Sequence, residues 1–482
     1  MSEPLLLGID EGTTAVKAAL FDTGLRRLAE ARRPVATSHP GQGRVEQDPE
    51  EVLAAVIEAV ADVLAQAPAQ AQVLAGLAHQ GESVLAWDAH TLAPLTPIVV
   101  WQDKRQEQLL AEIDPESVRR SGLPLDPYFS AGKLAWLLRH DRAVADARAR
   151  GALRMGTVDV FLAQRLGGRF ATDLSTASRT QLLALGGEDW DPQLLAAFEI
   201  ERTMLPALGP TFGPLGALAC EQWKRPLELC AQLVDQQAAL AGSGTVSVGE
   251  VKATYGTGVF VLGRIERPEP VPGLLPTVAW GTPSTPAYAL DGGVFTAGAL
   301  LEWLARDLGL AADPPALARA AAGVPDAAGV MVLPALAGLG APWWRSESRG
   351  VIAGLHGGVR PAHLARAALE AIAARVVDVV EAFVPAVQVR SLRVDGGLSN
   401  EPLLMRLQAD ALGLPLEVGS ADATVLGAAL LAGVGGGVFE SIEQAAALLP
   451  QGRLVEPQVG ERERAGARQR WRRFVEAAGS LP

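Results

Sequence analysis

The first apolar block, Leu5-Leu6-Leu7-Gly8-Ile9, runs without a polar break and ends on Asp10. A short continuous run bounded by turn residues predicts a buried strand. Glu11-Gly12-Thr13-Thr14 then reads as a turn and Ala15 to Phe21 as a second strand, giving a hairpin with glycine in its bend. The period changes after Asp48. Val52, Val56 and Val60, with Leu53 and Ile57 beside them, recur at helical spacing. Asp48 suits the cap, Pro49 the first position, and Glu51 completes a capping-box spacing. Strands are expected at 73–78 and 83–87, and mainly helices from 130 to 209, with loops at Gly167-Gly168 and Gly186-Gly187. A strand-turn-strand unit recurs at 248–262 around Gly256-Thr257-Gly258. Helices follow at 296–309 and 361–384. A strand at 391–395 then runs into Gly396-Gly397, and a helix begins near Pro402.

Both halves thus open on strand-turn-strand and continue into helices. A chain of 482 residues with 49% hydrophobic content is long enough for two cores. The boundary is expected near Gly242-Ser243-Gly244, giving domains 1–244 and 245–482. No low-complexity stretch or short-period repeat interrupts them. The most membrane-like segment, 423–439, is rich in Gly and Ala and, at about 17 residues, is short for a span. It reads as a buried helix.

Charge narrows the partners. The net charge is −12 and no basic run stands out, which argues against nucleic acid or an anionic membrane. A phosphate-bearing ligand stays open, because backbone amides and a metal act locally. The beginning of the sequence has no basic segment followed by a long apolar one. The two cysteines, Cys220 and Cys230, fit no metal or redox spacing and suit buried thiols in a reducing cytoplasm.

Four segments carry candidate chemistry. In Gly8-Ile9-Asp10-Glu11-Gly12-Thr13-Thr14, a glycine turn brings amides and hydroxyls toward phosphate oxygens, and Asp10 could hold Mg²⁺. The plain alternative is a turn with Asp10 as a cap. In Asp235-Gln236-Gln237, the carboxylate could accept a proton from an attacking hydroxyl, or simply cap a helix. Tyr255-Gly256-Thr257-Gly258 offers a second hydroxyl-bearing turn. Asp395-Gly396-Gly397-Leu398-Ser399-Asn400 allows a flat base or ribose to approach the backbone. No GxxxxGK[ST], GxGxxG, HExxH or Cys/His cluster occurs, and His79 suits a structural role.

Each segment is weak alone, but their order is specific. It resembles the FGGY carbohydrate kinases of the actin-like ATPase superfamily, and within them the glycerol kinases. The resemblance extends over about 6–439 and is carried by GIDEGTTAVKAALFD, IVVWQDKR, SGLPLDPYFSAGKLAWLL, GTVDVFLAQRL, TDLSTASRTQLL, DQQAAL, YGTGVFVL, YALDGGVFTAGALLEWL and LRVDGGLSN. It implies an α/β protein of two actin-like (ribonuclease H-like) domains, each with a mixed five-stranded core and an interdomain cleft. Residues 1–244 would bind mainly substrate and 245–482 mainly nucleotide. It also implies ATP and Mg²⁺, with Asp10 at the metal–phosphate site and Asp235 as general base. Glu82 and Gln236 would bond substrate hydroxyls, and Trp101, Tyr128 and Phe260 would wall the pocket. Thr13, Thr14, Lys17, Gly256 and Thr257 would meet phosphates. Gly298, Gly396, Gly397 and Asn400 would line the nucleotide. The expected partner is a small polyol or sugar, with a homodimer left open.

Three departures stand out. Gly81 precedes Glu82 where glycerol kinases carry an Arg, removing a charged donor and leaving space. Residues 213–234 lack the Gly-rich, Arg-containing loop tied to sugar-bisphosphate regulation. Glu302 replaces a Gln expected near adenine. The leading expectation is phosphorylation of glycerol to glycerol 3-phosphate. A larger polyol or ketose (a tetritol, pentitol, xylulose or ribulose) is the alternative, and a non-catalytic sugar-binding regulator is the third.

Overall fold

The N-terminal apolar run forms strand Leu5–Glu11, which pairs antiparallel with Ala15–Phe21 and parallel with Val73–His79. The computed structural model describes residues 3–420 and 422–479. Six strands make the first sheet, in the spatial order Phe212–Leu218, Leu227–Val234, Val73–His79, Leu5–Glu11, Ala15–Phe21, Arg27–Pro34. The second has seven, in the order Leu275–Thr282, Thr285–Val294, Val259–Ile265, Glu250–Tyr255, Ser391–Asp395, Leu416–Val418, Arg453–Val455. The expected five-stranded cores are therefore extended at their edges. The added strands escape periodicity because Leu275–Thr282 is buried almost throughout and does not alternate, while Arg453–Val455 is only three residues long.

The two sheets repeat one plan. In each, an antiparallel hairpin is followed by parallel neighbours. In the first these are Val73–His79 and Leu227–Val234, and in the second Ser391–Asp395 and Leu416–Val418. The carboxyl ends of parallel strands share one edge, where open α/β sheets bind ligands.

Local signals fared unevenly. Helix Pro49–Leu64 starts on Asp48, whose carboxylate accepts from the Glu50 amide at 2.8 Å; the cap runs through Glu50 rather than a box with Glu51. The expected 296–309 helix is a short helix, Gly298–Glu302, running into a wider turn at Trp303–Asp307. Both cysteines are free.

Helix Ala423–Gly435 is buried, as its composition implies, but against the first sheet, which precedes it by nearly two hundred residues. It packs across strands Leu5–Glu11, Val73–His79 and Leu227–Val234 of the first sheet and along helix Asp235–Gly242. Glycine permits the approach: a Cβ on Gly8 would collide with the carbonyl of Val425, and one on Gly76 with that of Ala428. Backbone lies directly on backbone, and the shared core includes Leu6, Leu74, Leu240 and Leu430. No described helix is long and apolar enough to cross a membrane.

Candidate active site

Three neighbouring strands of the first sheet end together, and the chain leaves each with a polar residue. Leu5–Glu11 delivers Asp10, Glu11 and Thr13. Val73–His79 delivers Gln80 and Glu82. Leu227–Val234 delivers Asp235 at the first turn of helix Asp235–Gly242. A cavity of about 100 Å³ lies over these ends, and Phe260 and Asp291 close it from the second sheet. The cavity gathers seven expected site residues: Thr13, Glu82, Trp101, Tyr128, Asp235, Gln236 and Phe260.

The walls are braced from behind. Trp101 meets Tyr128 edge to face, with centroids 5.7 Å apart. Its indole N–H donates to the Thr13 hydroxyl at 3.0 Å, and that hydroxyl donates to Gln80 Oε1 at 3.3 Å. Thr13 thus belongs to the cavity network. The amide of Gln80 donates to the buried Glu11 carboxyl at 2.7 Å. Lys133 is buried and donates to the carbonyls of Pro127, Tyr128 and Phe129 at 2.8, 2.6 and 3.2 Å, fixing the Tyr128 loop. Burial pulls its pKa down to about 7. On the other side, Lys252, buried in strand Glu250–Tyr255, donates to Gln236 Oε1 at 3.3 Å.

Carboxylates crowd this space. Asp235 turns one face to the cavity but is otherwise enclosed by protein. Burial first, then the charges of Asp10 and Glu82, lift its pKa to about 8. Burial also lifts Asp10 to about 6, partly offset by Lys17, and holds Glu11 well above the usual carboxylate range. Clustered, poorly solvated acids of this kind are found where charge is to be managed in a reaction. Among the described residues no ready-made cluster of three metal ligands occurs. Mg²⁺, however, usually takes one or two carboxylates and completes its shell with water and phosphate.

Two charged lining residues had no sequence-based role. Arg179, from helix Leu174–Arg179, enters the cavity with its Nε 2.7 Å from Glu82 and its Nη2 3.0 Å from Asp291 of strand Thr285–Val294. Burial alone would lower its pKa, but Glu82, Asp291 and Tyr128 raise it, so the guanidinium stays charged. The available signal was a charge inside an apolar strand, as in Ala289-Leu290-Asp291 and Val251-Lys252-Ala253. The reading of Gly81 also changes. It does not leave space: a Cβ there would lie 2.7 Å from Val234 Cγ1, so Val234 already fills that corner.

The remaining candidates lie outside this cavity. Lys17 is the cross-strand partner of Asp10, and its ammonium pairs with Asp422 at 2.5 Å. Thr14 is exposed at the hairpin. Gly256 and Thr257 form the exposed turn between Glu250–Tyr255 and Val259–Ile265. Gly298 packs against that turn, where a Cβ would stand 2.6 Å from the Gly256 carbonyl oxygen. Gly396, with φ +88°, sits on the Tyr255 backbone where a Cβ has no room, whereas Gly397 faces open space. Asn400 donates to the Gly397 carbonyl at 3.2 Å and is otherwise exposed. His79 is buried against Thr176 at 2.9 Å, in keeping with a structural role.

Two related α/β halves thus bring their residues together on an acidic, aromatic-walled cavity. Models of the FGGY family of carbohydrate kinases match the chain twice, the N-terminal domain over residues 5–242 and the C-terminal domain over 251–436. A glycerol kinase from Citrifermentans bemidjiense is 41% identical over 98% of both chains. Among solved structures, Plasmodium falciparum glycerol kinase with ADP aligns with a TM-score of 0.93 at 27% identity, covering 100% of this chain and 99% of the other. A xyloylose kinase from Brucella ovis aligns at 0.90 and 26%, covering 99% and 100%. The chain belongs to the FGGY family of carbohydrate kinases, and it is a kinase.

Proposed function

We propose that the enzyme transfers the γ-phosphoryl group of ATP to a terminal hydroxyl of glycerol, giving glycerol 3-phosphate. The observation that carries this is Asp235, an enclosed carboxyl facing a small cavity beside aromatic and hydrogen-bonding walls. Trp101, Tyr128 and Phe260 suit the carbon edge of a polyol, and Glu82 and Gln236 its hydroxyls. Asp235 accepts the proton as the hydroxyl attacks phosphorus. Asp10 would hold Mg²⁺, which when bound would offset charge on the phosphates and, as a nearby cation, favour the ionised form of Asp235. Thr14, Lys17, Gly256 and Thr257 face the phosphates, and Gly298, Gly396, Gly397 and Asn400 the rest of the nucleotide. Residues 1–244 serve mainly the polyol and 245–482 mainly the nucleotide. Closure of the two halves limits wasteful ATP hydrolysis.

A kinase of a longer polyol or ketose is the second reading, prompted by the likeness to the xyloylose kinase. The filled corner at Gly81 and Val234 weighs against it. The test is a coupled ADP-release assay with glycerol, erythritol, xylitol, xylulose and ribulose. Glycerol is expected to give the highest kcat/KM. A ketose or pentitol preferred by more than tenfold would overturn the assignment.

A further inference from the structure

The Arg179 bridge is incomplete in a particular way. Its Nε and Nη2 are engaged by Glu82 and Asp291, yet Nη1 has no hydrogen-bond partner among the described residues, and neither does Oδ1 of Asp291. Both side chains are more than nine-tenths buried, with 3% and 6% exposure, and both line the cavity. A buried guanidinium N–H left unmade is costly, as is a buried carboxylate oxygen. The two orphans are complementary: one donates and the other accepts. A hydroxyl group is the smallest ligand group that satisfies both, since it offers one O–H and two lone pairs.

The local charge decides which class of ligand fits. Arg179 is flanked by Glu82 and Asp291, with Asp235 also lining the cavity. The three lining carboxyls outnumber Arg179 and the buried Lys252 that also faces Asp235 and Asp291, so an anionic group on the substrate would meet net opposition, whereas a neutral hydroxyl meets none. The guanidinium also lies over the rings of Tyr128 and Phe129, 5.6 and 5.7 Å from their centroids, which fixes its plane.

We propose that Arg179 is a specificity-determining residue that, together with Asp291, clasps a polyol hydroxyl other than the one presented to Asp235. This rests on the polyol-kinase reading and adds how the enzyme would recognise a second hydroxyl. Glu82 and Arg179 come from the first half and Asp291 from the second, so the clasped hydroxyl ties the halves together around the substrate.

The test compares glycerol with propane-1,2-diol and propane-1,3-diol, in wild type and in Arg179→Lys and Arg179→Gln. Wild type should lose at least about tenfold in kcat/KM when the clasped hydroxyl is absent, as expected for a hydrogen bond to a charged group. Arg179→Lys keeps the charge that Glu82 and Asp291 need. It should raise the KM for glycerol about tenfold, leave the KM for ATP within twofold, and flatten the discrimination between glycerol and the poorer diol. Equal losses on all three alcohols would mean that Arg179 only holds its neighbours, and would overturn the proposal. Should both variants fail to fold, wild type alone decides: diols used as well as glycerol would overturn it. A wild type that phosphorylates no polyol refutes the glycerol reading itself and takes this inference with it.

Discussion

The two sheets share a plan but use their strand ends differently. At the edge of the first, side chains dominate: Asp10, Glu11, Gln80, Glu82 and Asp235 stand close together, and burial above all displaces the carboxyl pKa values of Asp10, Glu11 and Asp235 upward. At the edge of the second, the expected nucleotide side, backbone dominates: Gly256, Gly298 and Gly396 are packed main chain on main chain. Moving a proton and distinguishing hydroxyls requires ionisable and hydrogen-bonding side chains, whereas phosphates and a flat base can be received by amides and bare backbone. A duplicated architecture has thus been differentiated by what it places on equivalent turns.

The sharpest way to break this contrast is to remove the proposed proton acceptor. Asp235→Asn should lower kcat by roughly 10²–10⁴-fold with the fold intact by circular dichroism. It should not lower the melting temperature at pH 9. A carboxyl whose folded pKa stands near 8, above its unfolded value of 3.8, costs stability increasingly as pH rises between those values, and the amide carries no such cost. A mutant with near-normal turnover would remove Asp235 from its role.

The pH profile comes next. With Asp235 acting when ionised, kcat/KM should rise with pH up to an inflection that Mg²⁺ draws below the metal-free value of about 8, falling about tenfold per unit below it. Asp235→Asn should abolish that limb. A flat profile from pH 6 to 9 would contradict the assignment.

The backbone side is probed by a matched pair. Gly396→Ala meets the Tyr255 backbone at positive φ and should cost about 1–3 kcal/mol of stability in denaturant titrations. Its KM for ATP should rise more than its KM for glycerol. Gly397→Ala, facing open space, should be near neutral for stability. Equal effects at the two positions would mean that backbone approach is not what selects glycine there.

The smallest expected effect is at Gly81. Gly81→Ala should raise the KM for glycerol a few-fold by crowding Val234, and Gly81→Arg should lower activity rather than restore it. Adding Val234→Ala to Gly81→Ala should recover most of the loss. Improved turnover in Gly81→Arg alone would show the corner to be open.

What the sequence revealed follows from distance along the chain. The hairpin at 5–21, the cap at Asp48 and the strand before Gly396 are local patterns, and they appear where expected. All six polyol-side candidates meet in one cavity because each lies at or near the end of a strand or turn. Arg179 and Asp291 escaped notice because their meaning lies in each other, across 112 positions. Gly81 was misread for the same reason: its vacancy is filled by Val234, a residue from another strand. The composition of 423–435 announced burial, but nothing local could name the sheet it covers.

That helix carries a consequence for biosynthesis. The strands it covers are complete by residue 234, but the helix begins at 423. At ordinary ribosomal rates, roughly 10–40 s pass between the two. For that interval the nascent first half lacks the helix that packs across this apolar sheet face. The halves therefore cannot mature in sequence as independent units. Any premature stop between them would release a fragment with its core open to water.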